Sequence, residues 1–224
     1  MIYIMSDIHG ELGLFRQMLK LINFGKNDRL IIAGDVVDKG SESAALLRFI
    51  YEMKNVVVIL GNHDYDFLKV ARDATRDCKG GADFDAALEK LRCRFADGEL
   101  LSWELIDYME SWPTYYEEDS FFAVHAGMPL DGRGYHTALA DATTEQLVND
   151  RRFRNANYRG KTAFFGHTET PNNKIVAFSR RRDKKPVALS DYSKIWLDCG
   201  AWHTGVLGAF CIDNLKCYYV KKKR

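Results

Sequence analysis

Short apolar runs recur along this chain, and nearly every one stops at Asp, Asn or His beside Gly. Ile2–Met5 leads into Ser6-Asp7-Ile8-His9-Gly10, and residues 30–33 into Gly34-Asp35-Val36-Val37-Asp38-Lys39-Gly40. Residues 56–60 lead into Gly61-Asn62-His63-Asp64, Phe121–Val124 into His125-Ala126-Gly127, and 163–165 into Gly166-His167-Thr168. Runs of this length, rich in Ile, Val and Phe and bounded by glycine, fit buried strands. Between the first three runs, Leu12, Phe15, Leu19 and Ile22, then Ala45, Leu46, Phe49, Ile50 and Met53, keep helical spacing. Strand alternating with helix predicts βαβ units and a parallel sheet, so the fold class is α/β. Ligands of such sheets bind beyond the carboxyl ends of the strands. All of the polar clusters are expected there.

The rest of the chain divides in two. Residues 64–112 carry few turn signals beyond Gly80-Gly81 and Gly98, and read as an all-α insertion that caps the site. From about residue 162 the pattern turns β, with strands expected at 175–179, 187–189, 195–198, 206–212 and 217–220 and a hairpin break at Asp213-Asn214. No repeat or linker interrupts the 224 residues, which predicts a single domain over 1–224.

Charge excludes the simplest partners. Lys and Arg number 32 against 31 Asp and Glu, so no stable nucleic-acid partner and no polybasic membrane anchor is expected. The five cysteines, Cys78, Cys93, Cys199, Cys211 and Cys217, show no CxxC spacing, against both a disulfide framework and a zinc knuckle. The start reaches polar Ser6-Asp7 too early for a signal segment, and no apolar run approaches the ~18 residues of a membrane span. A cytoplasmic location is the expectation.

The strand-end residues Asp7, His9, Asp35, Asn62, His125 and His167 offer oxygen or imidazole donors and no thiolate. That mixture suits manganese, iron or zinc in a catalytic setting. Six donors exceed what one catalytic metal needs. They suffice for two divalent ions sharing a carboxylate, an arrangement that clamps attacking and leaving oxygens in phosphoryl transfer. An isolated strand-end histidine is ordinarily a hydrogen-bonded core or surface residue. Here four of the six histidines fall in such clusters.

The series Asp7-x-His9, Gly34-Asp35-x-x-Asp38-x-Gly40, Gly61-Asn62-His63-Asp64, His125-Ala126-Gly127 and Gly166-His167 resembles that of the calcineurin-like metallophosphoesterases. It is closest to the phosphoprotein phosphatase branch, which holds small bacterial and phage serine/threonine phosphatases and symmetrical diadenosine tetraphosphate hydrolases. The resemblance implies a β-sandwich of two mixed sheets flanked by helices. It also implies two divalent metals, manganese first, with iron or zinc as alternatives. Asp7, His9 and His167 would hold one ion, Asp35 would bridge, and Asn62 and His125 would complete the other. A metal-bridging hydroxide would attack phosphorus. His63 would protonate the leaving group as general acid, and Asp38 would hydrogen-bond His63 and stabilise its imidazolium.

The phosphate clamps depart from the branch. Lys39 stands where Arg is usual, Leu60 replaces the Arg that commonly precedes Gly-Asn-His, and Asp64 replaces the Glu of the protein phosphatases. Arg151, in Asn149-Asp150-Arg151-Arg152, is similar to the family's downstream Arg. Lys is a flexible point charge without the bidentate fork of Arg, so the phosphate pocket is expected to be looser. Leu197-Asp198-Cys199-Gly200-Ala201 resembles the family's D(T/C)GA segment, with His203 at the edge of the site. The basic runs at 180–185 and 221–224 read as solvated, and the tryptophans as core or surface.

The main functional reading is a two-metal serine/threonine-type phosphomonoesterase acting on a phosphorylated protein or a small phosphoester, with Lys39 and Arg151 holding the phosphate. The alternative is a hydrolase of dinucleoside polyphosphates or nucleic-acid ends, with a nucleotide as substrate. A non-catalytic metal-binding scaffold is the third.

Overall fold

The structure is a computed structural model and describes residues 1–76, 101–181 and 184–222. Strands β1 (Ile2–Met5), β2 (Arg29–Ala33) and β3 (Val56–Ile59) pair in parallel. They are joined by α1 (Leu12–Leu21) and α2 (Ser43–Tyr51). The register sets Met5 opposite Ile32 and Ala33 opposite Ile59, so the three strands finish at one level. Both faces of these strands are covered, which explains their unbroken apolar runs. Tyr3, Met5, Leu30 and Ile32 face α1, α2, α3 (Asn62–Arg76) and α4 (Trp103–Glu110).

A second sheet holds β4 (Tyr115–Glu117), β5 (Phe121–Val124), β6 (Thr162–Phe165), β7 (Val176–Ser179) and β8 (Tyr192–Trp196), in the order β4-β5-β6-β8-β7. Its three central strands are parallel and its two edges antiparallel. The first sheet gains β9 (Val206–Cys211) and β10 (Lys216–Lys221), both antiparallel, giving the order β10-β9-β1-β2-β3. Ile4, Ile31, Ile59 and Phe210 of the first sheet meet Phe121, Ala123, Phe164 and Ile195 of the second in one dry layer. Each of the larger side chains contributes about 1.5–3 kcal/mol by its burial. On the outer face of the second sheet, Phe122, Val124 and Phe165 pack against Leu139, Leu147 and Phe153. Leu147 lies on α5 (Thr144–Asn149), whose start is fixed by a Thr143–Gln146 capping box. The architecture is a β-sandwich of two mixed sheets flanked by helices.

One local expectation needs correction, and one strand carried no signal. Residues 187–189 form no strand, because the Asp191 carboxylate accepts from the Val187 and Ala188 amides and folds 189–191 into a 3-10 turn. Three-residue β4 is too short to leave a periodic signal. The described residues of the run at 180–185 are exposed, as expected of a loop between β7 and β8, and Arg180 donates to the Tyr192 and Gly160 carbonyls while Arg181 pairs with Asp191 at 2.7 Å. Helices α3 and α4 lie in the expected insertion, while 77–100, and with them the expected cap, lie outside the described residues, as do 182–183. Among the described residues no helix is long and apolar enough to cross a membrane.

Candidate metal centre

All five polar clusters converge where the carboxyl ends of β1, β2, β3, β5 and β6 meet at the seam between the sheets. The backbone turns sharply there. Asp7, His9, Asp35, Asp38, Lys39 and His167 all hold positive φ, between 48° and 73°. Left-handed backbone in non-glycine residues is costly and collects where a site demands it. The flanking glycines make room. A Cβ on Gly34, itself at φ +83°, would lie 2.5 Å from His125 Nδ1, and one on Gly166 would strike Asp7 Oδ2.

Asp35 is the centre of the geometry. Its Oδ2 lies 3.4 Å from His9 Nε2, and its Oδ1 lies 3.4 Å from His125 Nε2. Donor atoms of Asp7, Asp35 and His125 lie within 4.8 Å of one another, and so do those of His9, Asp35 and His63. Asn62 Oδ1 sits 3.0 Å from His125 Nε2 and 2.8 Å from His167 Nδ1. The His125 Nδ1–H donates to the Ala33 carbonyl at 2.8 Å, and the His9 Nδ1–H to that of Val37 at 3.3 Å. In their neutral forms both imidazoles therefore turn a bare Nε2 to oxygen atoms, that of His9 also lying 3.3 Å from Lys39 Nζ. Lone pairs facing lone pairs need a cation between them, and a ring anchored through its other nitrogen to a carbonyl is the usual pose of a metal-ligating histidine. These residues fit a pair of divalent ions.

Burial and charge act strongly on the same cluster. Asp7, Asp35, Asp64 and Asp198 are all buried. Burial pushes the Asp7 carboxyl up to about 7 and that of Asp198 well above the ordinary range. Burial also works against the Asp35 carboxylate, but His125 outweighs it and holds the group far below the usual range. In turn Asp35 overcomes burial at His125 and pushes that imidazole up to about 10, whereas burial pulls His9 down to about 4. Asp64, pushed up to about 6 by burial, receives the backbone amides of Asp35, Val36, Val37 and Gly61 at 2.8–3.1 Å. It ties the turn after β2 to the turn after β3. Sequence reading saw Asp64 only as a replaced Glu, since nothing local marks a carboxylate that binds backbone.

Beside this cluster, His63 Nδ1 lies 2.8 Å from Asp38 Oδ2, and both are partly exposed. Lys39 Nζ reaches to 3.3 Å from His9 Nε2. Arg151 donates to Thr168 Oγ1 at 3.1 Å. Lys39 and Arg151 together line a cavity of about 320 Å³ over Asp7, His9 and His167. Thr168, Glu169, Asp198 and Trp202 complete its wall. Glu169 and Trp202 carried no sequence signal. His203 is exposed beside Glu169, at 3.3 Å. Leu60, where the branch carries Arg, is buried in the core and offers the cavity no charge.

Fold and site together define a metalloprotein: a two-sheet α/β sandwich with carboxylate and imidazole donors gathered at its seam. The chain belongs to the calcineurin-like phosphoesterase family, whose model matches residues 1–195. Membership implies a dinuclear divalent metal centre. Symmetrical bis(5'-nucleosyl)-tetraphosphatases are among its relatives. That of Wigglesworthia glossinidia brevipalpis is 48% identical over 68 residues, covering 30% of this chain and 25% of the relative. That of Methylococcus capsulatus is 37% identical over 150 residues, covering 66% and 50%. The match thus spans about half the length of the latter relative. A crystal structure provisionally described as a diadenosine tetraphosphatase superposes with a TM-score of 0.69 at 18% identity, covering 98% of this chain and 92% of that one. A metallophosphoesterase from Sphaerobacter thermophilus gives 0.56 at 16% identity, covering 99% and 88%. Both share the fold.

Proposed function

We propose that the chain is a metal-dependent phosphoric ester hydrolase that splits dinucleoside tetraphosphates at their central anhydride. The observation that carries this reading is the cavity over Asp7, His9 and His167, with Lys39 and Arg151 both in its wall. Two cations lining one cavity suit a chain of phosphates. The arginine expected of a protein phosphatase at position 60 has become a core leucine. The names of the relatives support the same choice. The serine/threonine phosphatase reading accordingly gives way to the dinucleoside polyphosphate alternative.

Asp7, His9 and Asp35 would hold one divalent ion, and Asp35, Asn62, His125 and His167 the other. His167 thereby leaves the His9 side, to which the resemblance assigned it, because its Nδ1 lies 2.8 Å from Asn62 Oδ1 and its ring packs against His125. Manganese is the first choice, and iron and zinc suit the same donors. When bound, the ions would supply Lewis acidity and neutralise charge that builds on the phosphoryl oxygens. Lys39 and Arg151 would orient the polyphosphate. His63, oriented by Asp38, would donate its proton to the leaving oxygen.

The test is a product analysis. Manganese-loaded protein is incubated with diadenosine tetraphosphate, and with a phosphoserine peptide, under one condition. ADP as the only nucleotide product, with kcat/KM above that for the peptide, is the expected result. ATP plus AMP, or preference for the peptide, rejects the reading. Full metal loading without turnover of any substrate would leave the scaffold in its place.

A further inference from the structure

Trp202 is 44% exposed and Trp103 39%, whereas Trp112 and Trp196 are 6% and 9% exposed, and of the two open indoles it is Trp202 that stands in the wall of the cavity over Asp7, His9 and His167. A tryptophan left this open at a cavity wall asks for an occupant. It stands on α6 (Ala201–Thr204), a single turn held between Gly200 and Gly205, both in left-handed backbone. Its ring lines the cavity that Asp7, His9 and His167 floor. Lys39 joins the two regions: its Nζ lies 3.3 Å from His9 Nε2 and over the face of the Trp202 ring, 5.6 Å from its centre. The exposed His203 ring follows at 5.7 Å, tilted by 35° and kept in place by Glu169. A cation next to the metal donors and an open indole next to that cation match the two ends of a nucleoside phosphate.

We propose that Trp202 is a nucleobase platform, so that this site selects nucleoside polyphosphates over base-free phosphate compounds. The inference rests on the polyphosphate reading above and adds what that reading lacks, a group that recognises the nucleoside. The base stacks on the solvent-exposed indole, and Lys39, which lies over the ring in this structure, turns to hold the adjoining phosphate. Such stacking tolerates any base, since every base has a π face. Neither a phosphopeptide nor inorganic polyphosphate would gain from the ring.

Two measurements test this in wild type, Trp202→Ala and Trp202→Phe, with folding checked by Tm. The first is the ratio of kcat/KM for diadenosine tetraphosphate to that for tripolyphosphate. The second is competitive inhibition by ADP against inhibition by pyrophosphate. In Trp202→Ala the kcat/KM ratio should fall about ten-fold, through KM, a loss within the range for one base–aromatic stack. The Ki for ADP should rise by a similar factor relative to that for pyrophosphate, and Trp202→Phe should recover most of both. Equal changes for base-bearing and base-free compounds would overturn the platform. A wild type that hydrolyses tripolyphosphate but not diadenosine tetraphosphate removes the substrate class, and the platform with it. A wild type active on both, with an unaltered ratio in Trp202→Ala, removes the platform alone.

Discussion

His63 and Asp38 sit 2.8 Å apart at the edge of a cluster whose other members are mostly buried. An acid needs solvent to regain its proton, and these two partly exposed side chains have it. Its worth depends on the leaving group. An alkoxide leaves poorly without a proton, a nitrophenolate leaves more readily, and ADP leaves as a stabilised phosphate anion. General acid catalysis contributes about 10²–10⁴-fold where it is needed. His63→Asn should therefore cut kcat on an alkyl phosphate by roughly 10²-fold or more, and on p-nitrophenyl phosphate and diadenosine tetraphosphate by clearly less. Losses equal across the three would take His63 out of the acid role. The Asp, Asn and His residues that converge at the seam as candidate ligands were readable in the sequence, because strand-end Asp, Asn and His beside glycine leave a mark. Their conformations were not. No pattern announces that Asp35 turns one oxygen to His9 and the other to His125, or that Asp64 serves four amides.

At the scale of elements, β1, β2, β3, β5 and β6 were legible because each is apolar on both faces and stops at a turn. The 3-10 turn at 189–191 was not, since a side-chain carboxylate makes it. Strand β8 hides a further device. Lys194 is 4% exposed, and its ammonium donates to the Phe153, Arg154 and Ala156 carbonyls at 2.7–3.0 Å. The Phe178 ring lies 4.6 Å away. One lysine thus fastens the turn at 153–156 to the sheet, close behind Arg151. Removing it leaves three carbonyls without that donor. Lys194→Met should cost about 1–3 kcal/mol in urea unfolding at pH 7. Burial also pulls the Lys194 pKa down from 10.5 to about 8. Between those values the unfolded chain binds more protons than the folded one, so rising pH favours folding. The gap between wild type and Lys194→Met should accordingly widen from pH 8 towards pH 10. A gap that narrows over that range would show that the lysine is not held against desolvation.

The whole molecule is a sandwich whose two sheets would share one metal centre. Asp7, His9, Asp35 and Asn62 follow strands of the first sheet, while His125 and His167 follow strands of the second. Protein hydrogen bonds already cross this seam, from His125 Nδ1 to the Ala33 carbonyl and from the His167 amide to the Asp7 carboxylate. Against them stands the repulsion that buried Asp198, beyond β8 of the second sheet, feels from Asp7 and Asp35 of the first. Divalent ions would reverse that sign and tie one sheet to the other. An ion that binds only the folded state at a hundred times its Kd adds about 2.7 kcal/mol. For a chain of this size, two such ions correspond to a Tm shift on the order of 10 °C. Dialysis against a chelator should lower Tm by that amount, and manganese should restore it. Asp35 serves both donor sets and Asn62 only one. Asp35→Asn should therefore lose more than half of the manganese-dependent rise, and Asn62→Ala a smaller part, with metal content measured on the same samples. A full rise retained by Asp35→Asn would mean that the carboxylate does not join the two ions.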